Sequence, residues 1–177
     1  MQLAELLVAL VLFTGVMAAA YAGLDQAQRA YAFGAARIET QQSARIALER
    51  LAAEIRAAGY GGPAARFAAV ALAEPQRIAV QRDLNGDGVV GASGETVTWR
   101  LAAGVLRRDA GGGAQPVING VRELSFVYRD GEGVETRVLD RIRSIDVALV
   151  VAPDHARPGP GLGVVTAFRT TVHLRNR

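Results

Sequence analysis

Three oxygen-bearing side chains, Asp83, Asn85 and Asp87, alternate along the chain and are followed by Gly88 and Val89. That spacing is how a calcium loop wraps its ion. Alternate side chains turn inward, Gly at the sixth place permits a sharp bend, and the backbone carbonyl at the seventh, here Val89, completes the arc. The acid that should close the shell at the twelfth place is Glu95 at the thirteenth, with Gly94 before it, and no flanking helices are expected. Asp83, Asn85, Asp87, Val89 and Glu95 are the candidate calcium ligands. The plainer alternative is a Gly/Asp-rich strand connection that needs no ion.

Glu5 is the second residue whose type and place imply chemistry. It stands at the head of a run from Leu6 to Leu24, 19 residues without a charge. An unpaired carboxylate on such a surface is costly in a low-dielectric setting, so it calls for a cation. The α-ammonium of Met1 in an adjoining copy of the chain is a natural partner, because low dielectric strengthens the pairing.

Other candidates carry less. His155 falls in a Pro/Gly loop and His173 on the outward phase of a strand, and Ser93 lacks the Gly-x-Ser-x-Gly elbow. Gly111-Gly112-Gly113 has no Lys after it, and Gly159 to Gly163 precedes a strand, so neither reads as a phosphate cradle. All 20 basic residues are Arg, and against 17 acids they leave a net charge of +3, a weak field for a phosphate backbone. Nucleic acid is not an expected partner, and Arg107, Arg108, Arg137, Arg141 and Arg143 read as a solvated sheet face. Without Lys there is no Walker or Schiff-base lysine, and without Cys no thiolate or disulfide framework. No nucleophile, base and orienting group assemble, so the chain reads as non-catalytic.

The elements that must position these residues follow from periodicity. The apolar run is about as long as the ~30 Å hydrocarbon layer of a bilayer. A secretory signal would carry positive charge ahead of a shorter apolar stretch, and no Lys or Arg precedes Glu5. No Pro occurs before Pro63, and Ala44, Leu48, Leu51, Ile55 and Ala58 recur at spacings of four and three, an apolar stripe on one helical face. Glu39, Arg45, Glu49, Arg50, Glu54 and Arg56 fall on the rest of the surface. Gly59-Tyr60-Gly61-Gly62-Pro63 ends the helix, giving one rod of roughly 55 residues. Gly15 and Gly23 lie inside the apolar half, where they either loosen the rod locally or allow close helix approach.

Beyond Pro63 the period shifts to two. Val97, Trp99 and Leu101 form one apolar face, then Leu124, Phe126 and Tyr128, then Ile145, Val147, Leu149 and Val151. A fourth runs through Val164, Thr166, Phe168, Thr170, Val172 and Leu174, after the Pro153 to Gly163 loop. Arg77 to Arg82 and Val105 to Arg108 add shorter strands, with Ala103-Gly104 turning a hairpin between Leu101 and Val105. The expected architecture is α+β: residues 1–24 as the apolar half of the helix, 25–58 as its amphipathic half, and 59–177 as one antiparallel sheet domain receiving the stripe.

Met1-Gln2-Leu3-Ala4-Glu5-Leu6-Leu7-Val8-Ala9-Leu10 resembles the mature amino terminus of a type IV pilin or type II secretion pseudopilin. The stretch from Ala44 to Tyr60 is similar to minor pilins of the PilW and GspJ type, which also carry an acidic Gly-rich loop. Met1 stands where Phe is commoner in that family, and it is read as a processed terminus. The resemblance implies a pilin-like fold and a structural subunit of a pilus or pseudopilus. It also implies cleavage and amine methylation at Met1 by a prepilin peptidase, and docking guided by Glu5. Expected partners are other pilins of the filament, the inner-membrane assembly platform and the membrane itself. The subunit would wait in a bacterial inner membrane, globular part in the periplasm, before joining a periplasmic pseudopilus or a surface pilus (fimbrium). The resemblance favours a minor, priming subunit. A major subunit and a membrane-anchored, calcium-dependent periplasmic binding module stay open.

Overall fold

The structure, a computed structural model, describes residues 2–62, 66–153 and 165–176. Met1, Pro63, Val164, His155 and the Gly159 to Gly163 run lie outside the described residues. Two compact units emerge, Met1–Ile38 and Glu39–Arg177.

A single α-helix, α1, covers Gln2–Ala57. In the first unit no residue from 3 to 32 is buried. Helix formers dominate here, and the one Thr in the apolar run turns its hydroxyl back on the helix: Thr14 Oγ1 donates to the Val11 carbonyl at 2.9 Å. Where the apolar run ends, Asp25 and Arg29 pair at 2.6 Å one helical turn apart.

The second unit takes up α1 from Glu39 and adds, among the described residues, eight strands: β1 (Val70–Glu74), β2 (Arg77–Gln81), β3 (Thr96–Ala102), β4 (Val105–Asp109), β5 (Gln115–Ile118), β6 (Val121–Arg129), β7 (Ser144–Val151) and β8 (Thr166–His173). The sequence reading expected one sheet; the structure has two, both antiparallel. β1 to β5 form a five-stranded meander, and β6 to β8 a three-stranded sheet. The meander cannot run on because β5 is short and carries Pro116, which has no N–H for a further ladder. The two-residue link Asn119-Gly120 then starts the second sheet. The alternation expected for β3, β6, β7 and β8 is present, with Val97, Trp99, Leu124, Phe126, Tyr128, Ile145, Val147, Leu149 and Val172 all buried. Ala103, the only non-Gly residue with positive φ among those described, and Gly104 make the tight β3–β4 hairpin. β1 and β5 went unread because neither has a sustained alternation.

One apolar cluster joins the helix stripe to both sheets. Ala44, Ala47, Leu51, Ala52, Ile55 and Ala58 pack with Val70, Ile78, Trp99, Leu106, Leu124 and Ile145. Polar contacts mark the helix path across the sheets. Near its start in this unit, Gln41 Nε2 donates to Thr166 Oγ1 on β8 at 3.0 Å. Further along, Glu54 reaches β3 and β4. The helix ends as expected at Gly59 (φ 77°), where a Cβ would sit 2.5 Å from the Asn176 carbonyl oxygen. The Asn176 amide in turn donates to the Ala58 carbonyl, one of the carbonyls the helix end leaves open. Tyr128 ties the sheets together: its hydroxyl donates to the Glu74 carbonyl at 2.7 Å, and burial pushes its pKa far up.

Candidate functional site

Two surfaces and one buried cluster carry the functional potential. The first is the apolar stretch of α1. Twelve large apolar side chains from Leu3 to Leu24 are between 41% (Met17) and 78% (Leu3) exposed. The helix is long and apolar enough to cross a membrane. Glu5 lies exposed at its head, and no described residue forms an ion pair with it. Its expected partner, Met1, lies outside the described residues. Gly15 and Gly23 have open space where a Cβ would be, so nothing within the chain requires glycine there.

The second is the acidic loop between β2 and β3. Its ends are drawn together by Arg82 N–H donating to the Glu95 carbonyl at 2.9 Å, and Asp83 N–H ties it to the Tyr60 carbonyl beyond the helix end at 2.7 Å. This places all five candidate ligands on one closed loop. Asp83 (2% exposed) and Glu95 (1%) are buried, while Asn85, Asp87 and Val89 are exposed. The oxygens are engaged within the loop. Asp83 accepts from Gly86 N–H at 2.6 Å and Gly88 N–H at 2.9 Å. Asn85 Oδ1 accepts from Asp87 N–H, its amide donates to Asp87 Oδ2, and Asp87 Oδ1 accepts from Val89 N–H. Glu95 accepts from Gly91, Ala92 and Leu84 N–H groups at 2.9, 2.7 and 3.2 Å.

Those amides, Gly91 first and Ala92 next, hold the Glu95 carboxyl below its ordinary pKa of 4.5 against the opposing effect of burial. Both buried carboxylates of the loop are therefore held by its own backbone amides. Among the described residues no three His, Cys, Asp or Glu side chains are placed together to hold a metal ion. The loop rests on the β4–β5 connection: Ser93 Oγ and Gly94 N–H both donate to the Ala110 carbonyl.

The buried cluster was missed by sequence reasoning. Glu54, expected on the outer surface of the helix, is 8% exposed. Its Oε2 accepts from Trp99 Nε1 at 2.5 Å, and its Oε1 from Arg108 Nε at 2.8 Å and Nη2 at 2.7 Å. One carboxylate therefore clamps α1 to two adjacent strands, and Arg108 belongs to this clamp instead of a solvated face. A signal existed: Glu54 lies three residues after Leu51 and four before Ala58, on the phase of the stripe. An acid there demands a buried cation and donor.

The remaining predicted residues stay apart from these clusters. Arg107 donates to the Ala114 carbonyl, and Arg143 to the carbonyls of Asp140 and Ile142. Arg137, Arg141 and His173 are exposed. On the outward face of the second sheet Asp146 accepts from Thr171 Oγ1 and Arg129 Nε, both at 2.7 Å, and these two bonds, the hydroxyl first, hold its carboxyl below the ordinary 3.8. Compared with models of known protein families and with curated proteins, the chain matches none.

Proposed function

We propose that this chain is a non-catalytic structural subunit of a pilus-like or pseudopilus-like filament. Its apolar helix is held in a membrane before assembly and in a bundle of like helices afterwards. The observation that carries the reading is the continuous apolar surface from Leu3 to Leu24, none of it buried within the chain. At about 25 cal/mol per Å² such a surface must be covered by lipid or by other helices. Glu5 at its head supplies what lipid alone does not need: a charge that a neighbouring subunit's terminal amine neutralises. This gives assembly a register, because a neighbour stacked out of step leaves the carboxylate unpaired in a low-dielectric setting.

The resemblance of the first ten residues to mature type IV pilins and pseudopilins, and of Ala44 to Tyr60 to PilW- and GspJ-type subunits, supports a minor, priming role. It also supports a bacterial inner-membrane location with prepilin peptidase and an assembly platform as partners. The length and apolarity of the helix favour a second reading, a single-pass anchor for a periplasmic binding module. Glu5→Ala and Glu5→Leu separate the two. A filament subunit with either change still reaches the membrane but is lost from sheared filaments or from crosslinked subunit ladders. Normal incorporation of both variants would overturn the docking role, and a chain found only as a monomer in membranes would favour the anchor.

A further inference from the structure

Two of the three Asn residues precede Gly, Asn85-Gly86 and Asn119-Gly120. Asn-Gly is the pair most open to spontaneous loss of the side-chain amide, since no Cβ on the Gly shields the attacking backbone nitrogen. The two sites share their chemistry and differ in their surroundings. At the first, the Asn85 side chain is held at both ends by Asp87: its oxygen accepts from Asp87 N–H at 2.9 Å, and its amide donates to Asp87 Oδ2 at 2.8 Å. The nitrogen that would attack, Gly86 N, is engaged too, donating to Asp83 Oδ1 at 2.6 Å. A carboxylate at that distance disfavours removal of the amide proton.

At the second site neither restraint exists. Asn119 is exposed, and no described residue hydrogen-bonds its side chain or the Gly120 N–H. The flanking backbone is held, with Ala152 N–H donating to the Gly120 carbonyl at 2.8 Å and Val121 N–H to the Gly104 carbonyl at 2.9 Å.

From this contrast we infer that Asn119 is a site of spontaneous deamidation in the folded protein, while Asn85 is protected by its own loop. The deprotonated Gly120 nitrogen attacks Asn119 Cγ and forms a cyclic imide. The Cγ–Nδ2 bond breaks, and the nitrogen leaves as ammonia after taking a proton from solvent. Water then adds to one of the two imide carbonyls and opens the ring to aspartate or isoaspartate, with no oxidant or reductant involved. The position gives the change its consequence. Asn119-Gly120 is the link between β5 of the five-stranded sheet and β6 of the three-stranded one. Either product puts a negative charge at that junction, and isoaspartate also lengthens the backbone there by one methylene.

Trypsin separates the two sites cleanly, releasing residues 83–100 and 109–122 as different peptides. The full chain, kept folded in detergent micelles, is held in warm, mildly alkaline buffer, and both peptides are followed by mass spectrometry for amide-to-acid conversion. The 109–122 peptide is expected to convert several-fold faster than 83–100 in the folded chain. The two rates should converge in urea, where the sequences alone act. Asn119→Gln should abolish conversion in the 109–122 peptide, and Asp87→Ala should accelerate it in the 83–100 peptide. Equal or faster conversion of 83–100 in the folded chain overturns the inference. So does an inert 109–122 peptide over a period in which the urea-unfolded chain converts.

Discussion

One helix lives under two regimes. Between Leu3 and Leu24 its side chains are mostly Leu, Val and Ala, and none is buried; between Ala44 and Ala58 charged residues are frequent, and yet six apolar positions are nearly sealed from solvent. The more apolar region is the more exposed. Apolar composition therefore does not decide burial within a chain. What decides it is whether the apolar residues share one face: a stripe can be matched by a sheet, whereas a helix apolar all round finds its complement in lipid or in other helices.

The sharpest way to break the comparison is to make the same substitution in both regions. Leu51→Ala, in the sealed stripe, should lower the unfolding free energy of the full chain in detergent by about 3 kcal/mol, since a cavity is left as well as surface lost. Leu7→Ala should leave the same unfolding transition unchanged to within about 0.5 kcal/mol. Equal losses would mean that the first region packs on the rest of the chain.

Glu54→Gln tests whether the clamp or the apolar stripe holds the helix in place. Arg108 would lose its charge partner in a site where both side chains are largely withdrawn from water. A loss of about 2 kcal/mol is expected, most of it from the stranded cation. Trp99 is the sole Trp, so its fluorescence should report the loosened indole hydrogen bond directly.

Acid should distinguish the regions next. The carboxyls of Glu95 and Asp146 both lie below their ordinary values in the folded chain. The stability they contribute is full above the unfolded-state values of 4.5 and 3.8 and is lost as pH falls through the lower folded-state values. The near-ultraviolet circular dichroism of the sheet-bearing unit should fade across that range, and Glu95→Gln should flatten the fall. Helical signal from the apolar segment should persist. The smallest effect expected is that of calcium. With the carboxylates of the acidic loop already satisfied by its amides, adding calcium or a chelator should leave the unfolding temperature unchanged. A calcium-dependent rise would instead make the loop a metal site and strengthen the binding-module reading.

Local pattern alone made the helix, its end at Gly59, four of the strand faces and the Ala103-Gly104 hairpin legible. Each depends on backbone geometry, which repeats every 3.6 or two residues, and on turn residues whose φ is set by their own side chains. The apolar surface around Glu5 was equally plain, since an uncharged run of that length needs no partner in the chain to be recognised. Tertiary structure alone decided that the strands divide into two sheets and which groups Glu54, already on the phase of the stripe, would meet. It also decided that Arg108 is its counter-ion and that the acidic loop closes on itself with two carboxylates inside. These are choices of partner between residues as much as 54 positions apart. Periodicity says which way a side chain faces; only the packed fold says what it meets there, because the free energy of a buried charge depends on the groups that surround it.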